Sequence, residues 1–224
     1  MTRINIAIDG PAGAGKSTVA KAVSKKLGII YLDTGAMYRT VALKAILSGV
    51  DTKDEAGLTE LVKDIDIRIE YERSEQRIYL DGKDVTENIR TADVSIGASN
   101  VAVIPAVRLK MVELQREIAA QNDVVMDGRD IGTYVLPYAR YKFFLTASLE
   151  ERAKRRYDEM IGKGMSSATI DEVQKDIAYR DNNDSTRAFA PLSRAQDALE
   201  IDTTHLNPTE VIDTILSCIK NINE

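Results

Sequence analysis

The chain has one cysteine, Cys218, and one histidine, His205. One chain therefore cannot assemble a disulfide framework or a Cys/His zinc centre, and a reducing compartment fits. Cys218 lies in an apolar helical pattern with Ile212, Ile215, Leu216 and Ile219 and is expected to be a small core residue. Lys and Arg nowhere form a long run, and the formal net charge is −5. A footprint that could neutralise a nucleic-acid backbone is missing, so polymeric DNA or RNA is not expected as a partner. No stretch approaches a membrane span, and the chain enters an alternating run (Ile4, Ile6, Ile8) rather than a basic segment followed by a continuous apolar one. A cytoplasmic protein without membrane attachment is expected. Internal repeats and low-complexity tracts are also lacking. What remains is an ordinary globular composition, 44% hydrophobic and 29% charged, over 224 residues. That length suits one main core with appended flaps.

Apolar runs bounded by turns alternate with helix-period segments, predicting an α/β fold with a parallel sheet covered by helices on both faces. The expected sheet strands are Ile4–Ile8, Ile29–Leu32, Val124–Asp127, Tyr141–Leu145 and Ala198–Ile201. The expected helices are Lys16–Leu27, Met37–Leu47, Ala106–Ala120, Leu149–Ile161 and Thr209–Ile222, the last with Asn207 as cap and Pro208 at its first position. Residues 65–86 break the rhythm with period-two alternation and an Asp81-Gly82 turn, predicting a small antiparallel insert. A second interruption, from Gly162, is polar and glycine-bearing between two helices, as a mobile flap would be.

Residues 5–23, NIAIDGPAGAGKSTVAKAV, contain Gly10, Gly15, Lys16 and Ser17 in the pattern G-x-x-x-x-G-K-[ST], with an apolar strand before and a helix after. This is a P-loop NTPase signature in the context it requires. Inward-pointing N–H groups from Gly10, Pro11, Ala12, Gly13, Ala14, Gly15, Lys16, Ser17 and Thr18 (all but the proline) and the positive end of the helix bind di- or triphosphate oxygens together, as in ATP. Lys16 neutralises β- and γ-phosphates, and Ser17 supplies an oxygen to Mg²⁺. The chain lacks the guanine-reading N-K-x-D element of switches and an L-S-G-G-Q-like signature of transporter subunits.

Phosphoryl transfer between two nucleotides gathers phosphates whose repulsion must be offset before the oxygens approach in line. Arg39, Arg129, Arg152, Arg155, Arg156, Arg180 and Arg187 are available, each able to fork onto phosphate oxygens. Water competes for the γ-phosphate, so a flap that closes is expected. Arg152, Arg155 and Arg156 precede the polar stretch and could ride on it; alternatively they form a solvated helix face with Glu150, Glu151 and Asp158.

The stretches YLDTGAMYR (31–39), GASNVAVIPAVR (97–108), MDGRDIGT (126–133) and RDNNDSTRAFAPL (180–192), together with the phosphate loop, the insert and ERAKRR (151–156), resemble the bacterial type of cytidylate kinase, a nucleoside monophosphate kinase family. The similarity runs through nearly the whole chain in the same order. It implies a core of residues 1–33, 98–150 and 168–224, a monophosphate-binding region of 34–97 carrying the insert, and a helical lid of 151–167. By the same resemblance Arg39 and Arg129 grip the acceptor phosphate, Arg180 and Asp184 lie near the pentose, and Arg187 faces the acceptor or the transferring group. Lys16, Arg129, Arg152, Arg156 and Arg187 form the expected catalytic set.

Ser99, Arg108 and Asp130 resemble the base-reading trio, and chemistry supplies a reason. Cytosine offers an amine donor beside a ring-nitrogen acceptor, which a carboxylate and an arginine or hydroxyl complement. Uracil would turn a carbonyl oxygen toward Asp130, at a penalty of about 1–3 kcal/mol per unpaired group. The other reading of Asp130 is an N-cap or turn aspartate before Ile131. Asp127 is open to Mg²⁺-bound water or to the substrate, and Thr34 to the nucleotide or to capping the helix after the second strand. The expected activity is transfer of the γ-phosphoryl of ATP, with Mg²⁺, to CMP and dCMP by a monomer. A kinase for UMP or another small acceptor and a nucleotide-binding ATPase switch are the alternatives.

Overall fold

The computed structural model describes residues 3–72, 75–162, 164 and 168–221. In chain order the strands are β1 (Asn5–Asp9), β2 (Ile30–Asp33), β3 (Ile67–Glu72), β4 (Glu75–Leu80), β5 (Lys83–Asp84), β6 (Val124–Gly128), β7 (Tyr141–Thr146) and β8 (Leu199–Asp202). The helices are α1 (Lys16–Leu27), α2 (Thr34–Leu47), α3 (Glu55–Leu61), α4 (Ala92–Val101), α5 (Pro105–Gln121), α6 (Leu149–Gly162), α7 (Ile170–Thr186) and α8 (Pro208–Asn221).

Five strands form the main sheet in the order β2-β6-β1-β7-β8, every pair parallel. Side chains along a strand alternate between faces, and both faces here are covered. Ile6, Ile8 and Val125 join one core cluster with α1 and α8, while Ala7, Val124 and Met126 join the other with α2 and α5. Because the order reverses around β1, the carboxyl ends of β1, β2 and β6 open onto a crevice, where ligands bind in such sheets.

The five expected sheet strands and five expected helices are all present, with ends shifted by three residues or fewer. The insert is a separate antiparallel sheet, β3-β4-β5. Asp81 and Gly82 close its second hairpin with positive φ at both positions (49° and 78°), the geometry a two-residue turn of this hand needs. Asn207 caps α8 as expected: its Oδ1 accepts the Glu210 amide at 3.1 Å, and Glu210 Oε2 accepts the Asn207 amide at 2.8 Å.

Three helices lie outside the expected five. α3 is short. α4 is built of small residues that allow close contact with α2: a Cβ on Gly97 would stand 3.1 Å from the Ala42 Cβ. α7 is mostly polar, with Val173 and Ile177 as its buried apolar residues, and starts from a capping box between Thr169 and Glu172. α2 begins at Thr34 rather than Met37, and Asp33, not Thr34, is its cap, accepting the Ala36 amide at 2.8 Å. Cys218 is half-buried at the edge of the second cluster, not inside it. Of the polar stretch expected as a flap, Lys163 and Met165–Ser167 lie outside the described residues. Among the described residues no single helix is long and apolar enough to cross a membrane.

Candidate active site

The phosphate loop leaves β1 at Gly10, whose φ is 143° and whose added Cβ would lie 2.0 Å from the Leu145 carbonyl oxygen. Only glycine fits there. Lys16, at the start of α1, is buried and donates to the Pro11 carbonyl at 2.6 Å. Burial, and then the Arg129 guanidinium, lower the Lys16 ammonium to about 7, against the pull of Asp127 and Asp184. Ser17 Oγ donates to Asp127 Oδ2 at 2.7 Å, and the Tyr31 hydroxyl donates to the other oxygen at 2.8 Å. Thr34 Oγ1 donates to the Asp127 carbonyl, tying the start of α2 to the end of β6. The Ala12 peptide is held on both sides. Its amide donates to Asp181 Oδ1 of α7 at 3.2 Å, and its carbonyl accepts from Arg152 of α6 at 3.0 Å. Arg152 also meets Asp181 at 2.5 Å.

Opposite the loop, four arginines are paired with carboxylates of the chain. Arg39 meets Asp33 at 2.8 Å and Arg129 meets Asp184 at 2.6 Å. Asp130 accepts from Arg108 on one oxygen at 2.5 Å and from Arg187 on the other at 3.0 Å. Burial raises the Asp130 carboxyl, and the two guanidinium groups oppose it. For Asp184 burial also pushes upward, but Arg129 and Arg187 prevail and hold it below its usual range. Arg108 is fully buried, with its guanidinium over the Tyr38 ring at 5.7 Å and over the Phe189 ring at 5.8 Å. It is one of the two guanidinium partners of Asp130. Ser99 Oγ accepts from Asn183 of α7 at 3.1 Å, which leaves its own proton free to donate. Arg180 makes no hydrogen bond or ion pair with the described residues; burial, then Arg129, lower it to about 10.

These groups share a cleft of ≈ 1060 Å³. Its wall includes Ala12 through Thr18 of the loop together with Thr34, Arg39, Ser99, Arg108, Asp127, Arg129, Asp130, Arg155, Arg156, Arg180, Asp184 and Arg187. Gly10, Pro11 and Arg152 are the sequence-expected residues that do not line it. Arg152 is buried against the back of the loop. Arg155 donates to the Thr203 carbonyl at 2.6 Å and pairs with Glu151, a partner of the plainer reading, whereas Arg156 pairs with Glu159, which that reading did not name.

Four contributors escaped sequence reasoning. Asp33, Asp181 and Asn183 sit beside predicted residues and act on their neighbours, a role that spacing does not reveal. Asp9 is a carboxylate at the end of an apolar strand, and that was a usable signal.

Ser17 and Asp127 are the hard oxygen donors beside the loop, and among the described residues no cluster of three or more His, Cys, Asp or Glu could hold a metal by itself. This donor set fits Mg²⁺, which keeps waters and takes phosphate oxygens rather than an all-protein cage.

A sequence profile of the family described as Cytidylate kinase matches residues 6–221. Among curated relatives, a protein of that name from Pediococcus pentosaceus is 49% identical, covering 99% of this chain and 98% of its own. Those from Halalkalibacterium halodurans and Clostridioides difficile are each 52% identical, covering 98% of this chain and 99% of theirs. Among solved structures, an uncharacterized protein from Eubacterium ventriosum aligns with a TM-score of 0.51 at 17% identity, over 98% of this chain and 99% of that one. The last likeness concerns the fold alone.

Proposed function

The chain belongs to the cytidylate kinase family and is a nucleoside monophosphate kinase, and from that premise we propose that it transfers the γ-phosphoryl group of ATP to CMP, and to dCMP, giving ADP and CDP or dCDP. The observation that carries the proposal is one cleft lined both by the phosphate loop and by Arg39, Arg129, Asp130, Arg180, Asp184 and Arg187.

The amides of the loop and Lys16 hold the donor phosphates; Arg39 and Arg129 hold the acceptor phosphate. An acceptor phosphate oxygen attacks the γ-phosphorus in line, forming a new P–O bond as the bond to the β,γ-bridging oxygen breaks and ADP leaves. The attacking oxygen is already anionic near neutral pH, so no general base is needed and positioning with charge stabilisation does the work. Mg²⁺, held by Ser17 with Asp127, would neutralise charge on the donor phosphates. Asp130 accepts the cytosine amine, and Ser99 donates to the base. Both substrates are held by one chain, which suits a monomer, and the reaction belongs to pyrimidine nucleotide metabolism in the cytoplasm.

Steady-state phosphorylation of CMP measured against UMP, AMP and shikimate tests the proposal. CMP is expected to give the highest kcat/KM, with ATP consumption dependent on an added acceptor. Equal use of another acceptor would remove the cytosine assignment, and turnover without one would indicate a switch.

A further inference from the structure

Asp9, the last residue of β1, is a buried carboxylate with no part in the chemistry above. Its Oδ1 accepts the Ile131 amide at 2.8 Å, and its Oδ2 accepts the Gly132 amide at 2.7 Å. These two N–H groups open the π-helical turn Ile131–Val135, and such starts leave amides that need acceptors. Asp130 occupies the cap position of that turn, yet its side chain makes no cap hydrogen bond. A carboxylate from a different strand performs the capping instead. The Asp130 carboxylate is thereby released to face Arg108 and Arg187.

The fit is close. A Cβ on Gly132 would lie 3.3 Å from Asp9 Oδ2 and 3.2 Å from the Lys142 side chain, so the glycine admits the carboxylate to the backbone. On its other side Asp9 is followed directly by Gly10 of the phosphate loop, and β1 pairs with β6 so that Asp9 stands beside Gly128. One side chain thus spans the root of the loop and the turn after the base-reading aspartate. Burial raises the Asp9 carboxyl to about 7, and the two amides, which favour the charged form, pull against it.

We infer that Asp9 is a specificity-determining positioning residue, which caps the Ile131–Gly132 turn from β1 and so directs Asp130 at the acceptor base instead of at its own backbone. The inference rests on the acceptor reading given above. In Asp9→Asn the amide can accept only one of the two N–H groups and turns an NH₂ toward the other; in Asp9→Ala both amides lose their acceptor and Asp130 becomes the nearest replacement. Both variants are expected to lose at least about tenfold of the kcat/KM preference for CMP over UMP, through a higher KM for CMP, with the KM for ATP within about twofold of wild type. The double variant Asp9→Ala/Asp130→Ala should lose no more preference than Asp130→Ala alone.

An unchanged preference in a folded Asp9 variant, additive losses in the double variant, or an ATP KM that rises in step with that for CMP would overturn the inference. A wild-type enzyme without CMP preference would instead sink the acceptor reading, so the two failures are distinguishable. Should the Asp9 variants not fold, amide hydrogen exchange of the wild type decides. The Ile131 and Gly132 amides are expected to exchange as slowly as those of β6, and rapid exchange at either would overturn the inference.

Discussion

At the scale of single residues, Asp130 and Lys16 show how far a buried charge depends on its neighbours. Asp130→Ala leaves the guanidinium groups of Arg108 and Arg187 without their shared carboxylate and would remove the acceptor proposed above for the cytosine amine. Its CMP-over-UMP preference is expected to fall by roughly 10- to 100-fold, with ATP binding by calorimetry little changed. For Lys16 the sign follows from its lowered value of about 7. At pH 8 the free ammonium is largely deprotonated, and adjacent donor phosphates raise its affinity for the proton, so nucleotide binding should take up to about one proton from solution. At pH 6 the group is already charged and the uptake should vanish. Titration calorimetry in buffers of different ionisation enthalpy reads this directly, and no uptake at pH 8 would contradict it. The place of Lys16 was legible in the sequence, because its motif sets it at the start of the helix after the loop. The partner of Arg39 was not: Asp33 lies in the quoted YLDTG stretch, but only the geometry of β2 and α2 turns it back onto that arginine.

Elements announced by strong local signals were read correctly, and those whose signals are weak were not. α8 carries Asn207 and Pro208 at its start and an apolar stripe behind them, so its beginning was visible from the chain alone. Asn207→Ala should cost about 1 kcal/mol and lower Tm by roughly 2–4 °C, without moving either substrate KM. A thermal melt beside initial-rate kinetics checks both halves of the statement. α7 was implied only as the helix after the polar stretch and given no range, because its buried positions are two aliphatic residues and Asp184, too thin a stripe for periodicity to register. α4 was hidden for a different reason. Its small residues suit close packing on α2, and composition alone does not separate that from a loop. The insert was visible as period-two alternation, whereas its attachment was not: Gln76 accepts the Asp33 amide and Tyr71 donates to the Tyr31 carbonyl, contacts between segments about 40 residues apart.

Across the whole molecule, α7 links the two halves of the cleft. Asp181 holds the Ala12 amide of the phosphate loop, while Arg180, Asp184 and Arg187 of the same segment line the cleft together with Arg129 and Asp130. If donor and acceptor binding are coupled, the coupling must be reciprocal, and this helix is the physical connection both sites bias. Asp181→Ala is therefore expected to reduce the coupling, read either as the effect of an ATP analogue on CMP affinity or as the effect of CMP on analogue affinity; a coupling unchanged in the variant would argue against that route. The cleft wall also carries ten Lys and Arg side chains against seven carboxylates, on a chain whose formal charge is −5. The outer surface is consequently more negative still. A long polyanion approaching from outside meets repulsion, and only an anion small enough to enter feels the cationic interior. Rising ionic strength screens the cationic cleft and should then slow capture of small anions, so that admission is sorted by size as much as by charge.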